Sequence, residues 1–208
     1  ISKSNFSEIN KLFDEEMLDQ EIKKELRDYS EHFSNTKEIP DIPVPVELNA
    51  TLRDYQRAGL NWLNHLDRFN FGGCLADDMG LGKTLQIIAF ILSQRIKREH
   101  TTNLVVVPTS LLFNWQEEVA RFAPSVKMLT HYGPNRQKEA CPFGSYEIVL
   151  TTYGMLLSDI RFLKKYFFNY IFLDESQAIK NPDSERYKAV RLLWSRNKIV
   201  LTGTPVEN

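Results

Sequence analysis

At 208 residues, with 42% apolar and 25% charged side chains, the chain has the composition of an ordinary globular protein, which excludes disorder and fibrous classes. The length suits one α/β domain with a substantial core, or such a domain plus an appendage. The net charge of −1 hides a split: residues 1–48 hold 12 Asp/Glu against 6 Lys/Arg, giving −6, whereas residues 49–208 hold 15 against 20, giving +5.

An acidic arm thus precedes a basic body, and an excess of this size fits either two solvated surfaces or a body facing nucleic acid. The longest apolar run, residues 85–92, is far short of the roughly 20 residues a membrane helix needs, so no membrane segment is expected. Cys74 and Cys141 are the only cysteines, without metal-ligand pairing, and no signal-like segment opens the chain. These features are read as an intracellular, reducing compartment. Ile1 stands where an initiator methionine would, and no closing element follows Pro205, so the chain reads as a piece of a longer protein.

In chain order, "FSEINKLFDEEMLDQEIKKELRDYSEHF" places Phe6, Ile9, Leu12, Phe13, Met17, Ile22 and Leu26 at mostly helical spacing among charges, which predicts one or two amphipathic helices. "PDIPVPVELNA" follows, and its prolines favour an extended connector. The expected division is therefore an acidic helical segment with connector, residues 1–48, and a body, residues 49–208. In the body, the strand-like runs "GGCLAD", "NLVVVPT", "VKMLTHYG", "EIVLTTYG", "YIFLDES" and "KIVLTGT" alternate with helical patterns. The latter are "TLQIIAFILSQRIKREH", "SLLFNWQEEVARFA", "MLLSDIRFLKKYF" and "SERYKAVRLLW". Such alternation predicts a parallel sheet with helices on both faces. The strands are apolar throughout, as burial on two faces requires. Functional loops are then expected at the strands' carboxyl ends.

Three of those ends carry chemistry. "LADDMGLGKTLQ" runs from a buried strand through a tight turn into an apolar helix. Gly80 and Gly82 fall where the backbone would turn and offer N–H groups to phosphate oxygens, with Lys83 reaching the outer phosphates and Thr84 a Mg²⁺ ion. Asp77 stands where the generic phosphate-loop pattern has its first glycine. In "YIFLDESQAIKN", Asp174 and Glu175 end an apolar strand, one suited to hold Mg²⁺ and the other to polarise a water. A helix-capping pair is the plainer alternative for these two. "IVLTGTPVEN" ends a strand in Thr202, Gly203 and Thr204, whose hydroxyls could sense the γ-phosphate or which could simply form a turn.

The ordered set "LRDYQRAGLNWL", "LADDMGLGKTLQ", "LVVVPTSLLFNWQEE", "VLTTYGML", "FLDESQAIKN" and "LTGTPVEN" resembles the first RecA-like lobe of the SWI/SNF-type ATPases of helicase superfamily two, across residues 51–208. The resemblance implies a RecA-like, three-layer α/β domain with a mainly parallel sheet, working in an ATP-driven translocase on double-stranded DNA. It implies that Arg53 and Gln56 serve the adenine side. Asp78, Met79, Gly80, Leu81, Gly82, Lys83 and Thr84 would bind ATP, with Thr84 and Asp174 on Mg²⁺ and Glu175 as catalytic base. Gln177 and Thr202 to Thr204 would couple hydrolysis to movement. The motifs around Pro108 to Trp115 and Thr151 to Tyr153 would face the DNA backbone. An acidic residue at position 77 is shared with this family. "DESQ" is closer to prokaryotic members, which implies cytoplasm or nucleoid.

Physical plausibility differs among the DNA candidates. Ser110, Thr151 and Thr152 offer small hydroxyls suited to phosphate oxygens without base readout. Trp115, at helical spacing with Leu112 and Val119, is expected in the core. Arg136 in "HYGPNR" is read either as a phosphate contact or as solvated. The runs "QRIKREH" and "RFLKKYFF" are read as exposed helix faces, and no histidine has metal-ligand spacing. The chain stops at Asn208 after the third motif, so the second RecA-like lobe and its arginines are expected elsewhere in the polypeptide. A protein partner for the acidic segment is left open. An idle RecA-like scaffold that binds proteins is the alternative reading, disfavoured by the intact Lys83, Asp174 and Glu175. A small P-loop kinase fails on the later motifs.

Overall fold

The computed structural model describes residues 39–78, 80–97, 101–136 and 143–203. The helices expected in residues 1–38 lie outside the described residues, as do Met79 and Thr204. The chain divides into two units, Ile1–Ile39 and Pro40–Asn208, and the description that follows concerns the second. Its proline-rich beginning forms neither helix nor strand, turns where the Leu48 amide donates to the Pro45 carbonyl (3.1 Å), and belongs with the body. Leu48 is buried, and Val44, Ala50 and Leu52 pack against the core.

Helix α1 (Asp54–Arg68) comes first. Its inner face carries Leu60, Leu63 and Leu66 but also Gln56, Asn64 and Asp67, so the buried stripe is partly polar. The remaining elements are β1 (Gly73–Leu75), α2 (Lys83–Gln94), β2 (Asn103–Val107) and α3 (Leu112–Phe122). After them come β3 (Met128–His131), β4 (Ile148–Thr152), α4 (Tyr153–Leu163), β5 (Phe167–Leu173), α5 (Glu185–Leu192) and β6 (Trp194–Leu201). The six strands form one sheet in the order β1-β6-β5-β2-β4-β3, with every pairing parallel.

The strand period sorts side chains into two layers. Val105 and Val107 of β2 point into a core built with α1, α2 and α3, while Leu104 and Val106 join α4 and α5 on the opposite face. The expected α/β sandwich with helices on both faces is what forms. Central strands β2 and β4 are buried at every residue, whereas β1 and β3, at the sheet's edges, are short and only partly covered. Short edges limit pairing with other chains.

Register aligns the strand ends. Leu75 pairs with Leu201, Leu173 with Val200, Val106 with Leu173, Val107 with Thr152, and Thr151 with His131. The loops that follow all leave the same edge, in the order phosphate loop, Thr202–Gly203, Asp174–Glu175, Pro108–Ser110, Tyr153, His131–Arg136.

The far end of this edge is stapled. Asp159 on α4 shares a hydrogen bond with His131 Nε2 (2.9 Å) and receives Arg136 through Nε (2.5 Å) and Nη2 (3.0 Å). Arg136 Nη1 also donates to the Gly133 carbonyl (2.8 Å), closing a turn in which Gly133 has φ +87°. Arg136 was expected at a phosphate or in solvent. It is instead engaged internally, because a buried carboxylate lies within reach. Burial alone would raise the Asp159 carboxyl, but hydrogen bonds from Arg136 and then His131 hold it below its ordinary value of 3.8. A depressed folded-state pKa means the pair's stabilisation is present above that ordinary value and is lost as pH falls through the lower folded one. Thermal unfolding of wild type and Asp159→Asn is therefore expected to differ most at neutral pH, with the gap in Tm narrowing toward about pH 3; a gap independent of pH would contradict the ion pair.

Candidate functional site

Between β1 and α2 the chain makes a loop that only glycine favours at two points. Gly80 has φ +83° and Gly82 has φ +77°, the left-handed region in which an L side chain is strained. At Gly82 space is also short, since an added Cβ would lie 2.6 Å from Gln56 Nε2. That amide donates to the Leu81 carbonyl (3.1 Å), as does the Tyr55 hydroxyl (3.1 Å), while Gln56 Oε1 accepts from the Arg53 amide (3.0 Å). Gln56, expected on the adenine side, is thus 6% exposed and ties the start of α1 to the phosphate loop; Arg53 is exposed beside it.

The odd residue of the loop has a structural partner. Asp77 Oδ2 accepts from Gln86 Nε2 (2.7 Å) one helical stretch later, and Gln86 reaches it by lying over Gly59, where a Cβ would sit 1.8 Å from Gln86 Oε1. Lys83 opens α2, and its ammonium donates to the carbonyls of Asp77 (2.7 Å) and Asp78 (3.1 Å). Thr84 follows it in the first turn, and Asp78 and Gly80 are exposed at the loop's outer side.

Asp174 follows β5 and is 6% exposed. Its Oδ2 accepts from Trp115 Nε1 (2.8 Å), its Oδ1 from the Glu175 amide (2.9 Å), and its backbone carbonyl from the Tyr153 hydroxyl (2.8 Å). Burial pushes the Asp174 carboxyl above its ordinary value, against the pull of Trp115, the Glu175 amide and Lys83; the Glu175 charge adds to the upward push. Glu118 on α3 is raised for the same reasons, burial first and the Asp174 charge second. Burial also raises the Tyr153 hydroxyl, which keeps it a donor. Glu175 has φ +48°, rare for a non-glycine residue and a conformation that clusters at functional sites. Its Oε2 accepts from Gln177 Nε2, in the short turn Ser176–Ile179.

Asp174 therefore lies within electrostatic reach of the Lys83 ammonium and of two further carboxylates, Glu175 and Glu118. Among the described residues no three His, Cys, Asp or Glu side chains form a metal cage, so a hard cation at Asp174 would share its oxygen shell with ligand and water. The residue types here could hold a phosphate-bound Mg²⁺, with the loop amides and Lys83 toward the anion and Thr84 and Asp174 toward the cation. Thr202, buried, and Gly203 lie between the phosphate loop and the acidic pair, with the Thr202 amide donating to the Leu75 carbonyl (3.2 Å).

The candidates for DNA contact separate. Ser110 is exposed in the turn Thr109–Leu111 after β2. Thr151 and Thr152 are buried, contrary to the expectation of phosphate-facing hydroxyls. Thr151 Oγ1 donates to the His131 carbonyl across the strand pair (2.9 Å), and Thr152 Oγ1 caps α4 by accepting from the Met155 amide (3.3 Å). β4 is an interior strand, so its hydroxyls must find partners inside the fold. Trp115 is in the core as expected, 1% exposed. Its link to Asp174, like that of Tyr153, was not foreseen. The one available signal was that a buried indole N–H or phenol must find an acceptor.

Residues 55–208 match the SNF2-related domain family. Over 192 residues the chain is 41% identical to YwqA of Bacillus subtilis, covering 90% of this chain and 21% of YwqA. To helicase SWR1 of Saccharomyces cerevisiae it is 39% identical over 176 residues, covering 82% of this chain and 12% of SWR1. Among solved structures, the Sulfolobus solfataricus SWI2/SNF2 ATPase core in complex with dsDNA is similar with a TM-score of 0.75 and 44% identity, covering 81% of this chain and 35% of that one. This chain spans about a fifth of YwqA and about a third of the Sulfolobus core. The family match begins in the first helix and runs through the whole sheet, and the chain belongs to the SNF2-related domain family, among the SWI2/SNF2 ATPases.

Proposed function

We propose that this chain is the N-terminal, ATP-binding lobe of an ATP-dependent translocase on double-stranded DNA, which couples hydrolysis to movement and to the remodelling of protein–DNA complexes. The observation that carries the reading is that the phosphate loop and the acidic strand end leave the same sheet edge, with Lys83 near enough to act on the Asp174 carboxylate against the upward push of its burial. Bound ATP with Mg²⁺ supplies the phosphoanhydride whose cleavage powers the cycle. Lys83 exchanges the Asp77 and Asp78 carbonyls for phosphate oxygens, and the backbone from Asp78 to Gly82 offers its amides. Thr84 and Asp174 hold the cation, and the Glu175 carboxylate receives a proton from the attacking water. Gln177, already on Glu175, and the Thr202–Thr204 turn report the state of the site to the rest of the motor.

Arg53 and Gln56 take the adenine side, where Gln56 would sense the base and the loop together. Ser110 and the turn around it contact the DNA backbone, in keeping with the duplex bound to the Sulfolobus relative. A second RecA-like lobe of the same polypeptide closes over the nucleotide and supplies arginine to the γ-phosphate, an effect worth about 10³ to 10⁵ in rate in other nucleotide hydrolases. The cellular site of action is that of DNA, cytoplasm or nucleoid for a prokaryotic member, and a protein partner for the acidic segment stays open. Among the described residues no helix is long and apolar enough to cross a membrane.

ATPase activity of the full-length protein, measured with double-stranded DNA, single-stranded DNA, RNA or no nucleic acid, tests the reading. Stimulation is expected with the duplex and is expected to vanish in Lys83→Ala; turnover that survives this substitution would sink the assignment. For Glu175→Gln, nucleotide binding is expected to persist while turnover falls by about 10² to 10⁴, the usual contribution of a general base. Equal turnover in this variant and wild type would remove Glu175 from that role.

A further inference from the structure

Asp174 is held from both faces of the sheet, and neither hold comes from its own strand. Trp115 reaches it from the core shared by α1, α2 and α3, whereas Tyr153 reaches it from the core under α4 and α5. Trp115 stands in the first turn of α3, directly after the turn Thr109–Leu111 that exposes Ser110. Tyr153 is the first residue of α4, adjoining the capping Thr152, and its strand β4 lies two places from β5 with β2 between them. The Tyr153 hydroxyl therefore spans the end of β2 to reach the Asp174 carbonyl (2.8 Å), and the indole N–H meets the carboxylate itself (2.8 Å).

We propose that Trp115, which follows the turn after β2, and Tyr153, whose hydroxyl spans the end of β2, are positioning residues that transmit DNA engagement at that turn to Asp174. The proposal rests on the reading that Asp174 serves a magnesium nucleotide and that the turn around Ser110 faces DNA. Its physical basis is stiffness. Both side chains are almost wholly buried, 1% and 3% exposed, in close-packed surroundings at the end of β2, so displacement of the turn that follows β2 moves donors on Asp174. Coupling of this kind is reciprocal: what the duplex does to nucleotide affinity, the nucleotide does to duplex affinity. A packing role alone predicts something different, since filling the same volume without the donor would preserve the coupling.

The test uses the full-length protein with Trp115→Phe, Tyr153→Phe and the double variant; phenylalanine keeps an aromatic body and removes the donor. Binding of a fluorescent mant-ADP–Mg²⁺ complex is titrated with and without saturating duplex, and the ratio of the two Kd values is the coupling factor. Wild type is expected to show a factor within the usual range of about 5 to 150. Each variant is expected to bring it down at least about fivefold or to near one, while duplex affinity without nucleotide stays as in wild type. The double variant is expected to lose less than the sum of the singles, because both donors act on one residue. Duplex-stimulated ATPase should fall in parallel. Tyr153→Phe removes a single oxygen and provides a folded variant should Trp115→Phe unfold, which a thermal melt reports. Variants that melt lower yet keep the wild-type coupling factor overturn the proposal, as does a wild type that binds nucleotide without regard to duplex. A wild type that binds no magnesium nucleotide at all, or binds it equally well as Lys83→Ala, instead overturns the underlying reading of the site.

Discussion

A carboxylate taken out of water at the end of a buried strand is the constraint around which this edge is organised. Left alone, Asp174 would be protonated or expelled, because burial penalises its charge. The fold keeps it in place by supplying an indole N–H, its neighbour's amide and, across two strands, a phenol on its carbonyl. Those donors come from three separate segments. Their convergence requires the strand register that aligns the ends of β5, β2 and β4, and that register in turn requires helices packed on both faces.

The same logic accounts for the phosphate loop. Its glycines allow the turn, but it is neighbouring side chains that give it shape: Gln86 on Asp77, Gln56 and Tyr55 on the Leu81 carbonyl, Lys83 on two carbonyls. The cradle is organised by the protein alone. A ligand arriving there exchanges partners with groups already in position, which reduces the ordering that binding would otherwise demand.

Much of this was legible in the linear chain. The apolar strands after residue 72, the glycines at 80 and 82 and the acidic end of "YIFLDES" carry local signals, because burial on two faces, positive φ and strand-end carboxylates each restrict residue type directly. Helix α1 was harder, since Asn64 and Asp67 sit on its buried face, with Asp67 receiving the Tyr170 hydroxyl from more than 100 positions away. Partnerships at that separation have no local signature. The same holds for Arg136 with Asp159, for Trp115 and Tyr153 with Asp174, and for Thr151, whose hydroxyl suits a phosphate as well as it suits the His131 carbonyl. Residue type showed that these side chains could donate; only the fold determines to which acceptor.

Glu175 illustrates a trade between folding and chemistry. Its left-handed backbone would suit glycine, and strain of this kind costs on the order of 1–3 kcal/mol. The turn into Ser176 nevertheless aims a carboxylate off the sheet edge, where Gln177 meets it. Selection for thermal robustness alone would thus favour glycine at position 175 at the loss of this carboxylate, so a search for hardier relatives of this domain should screen nucleotide turnover and melting together.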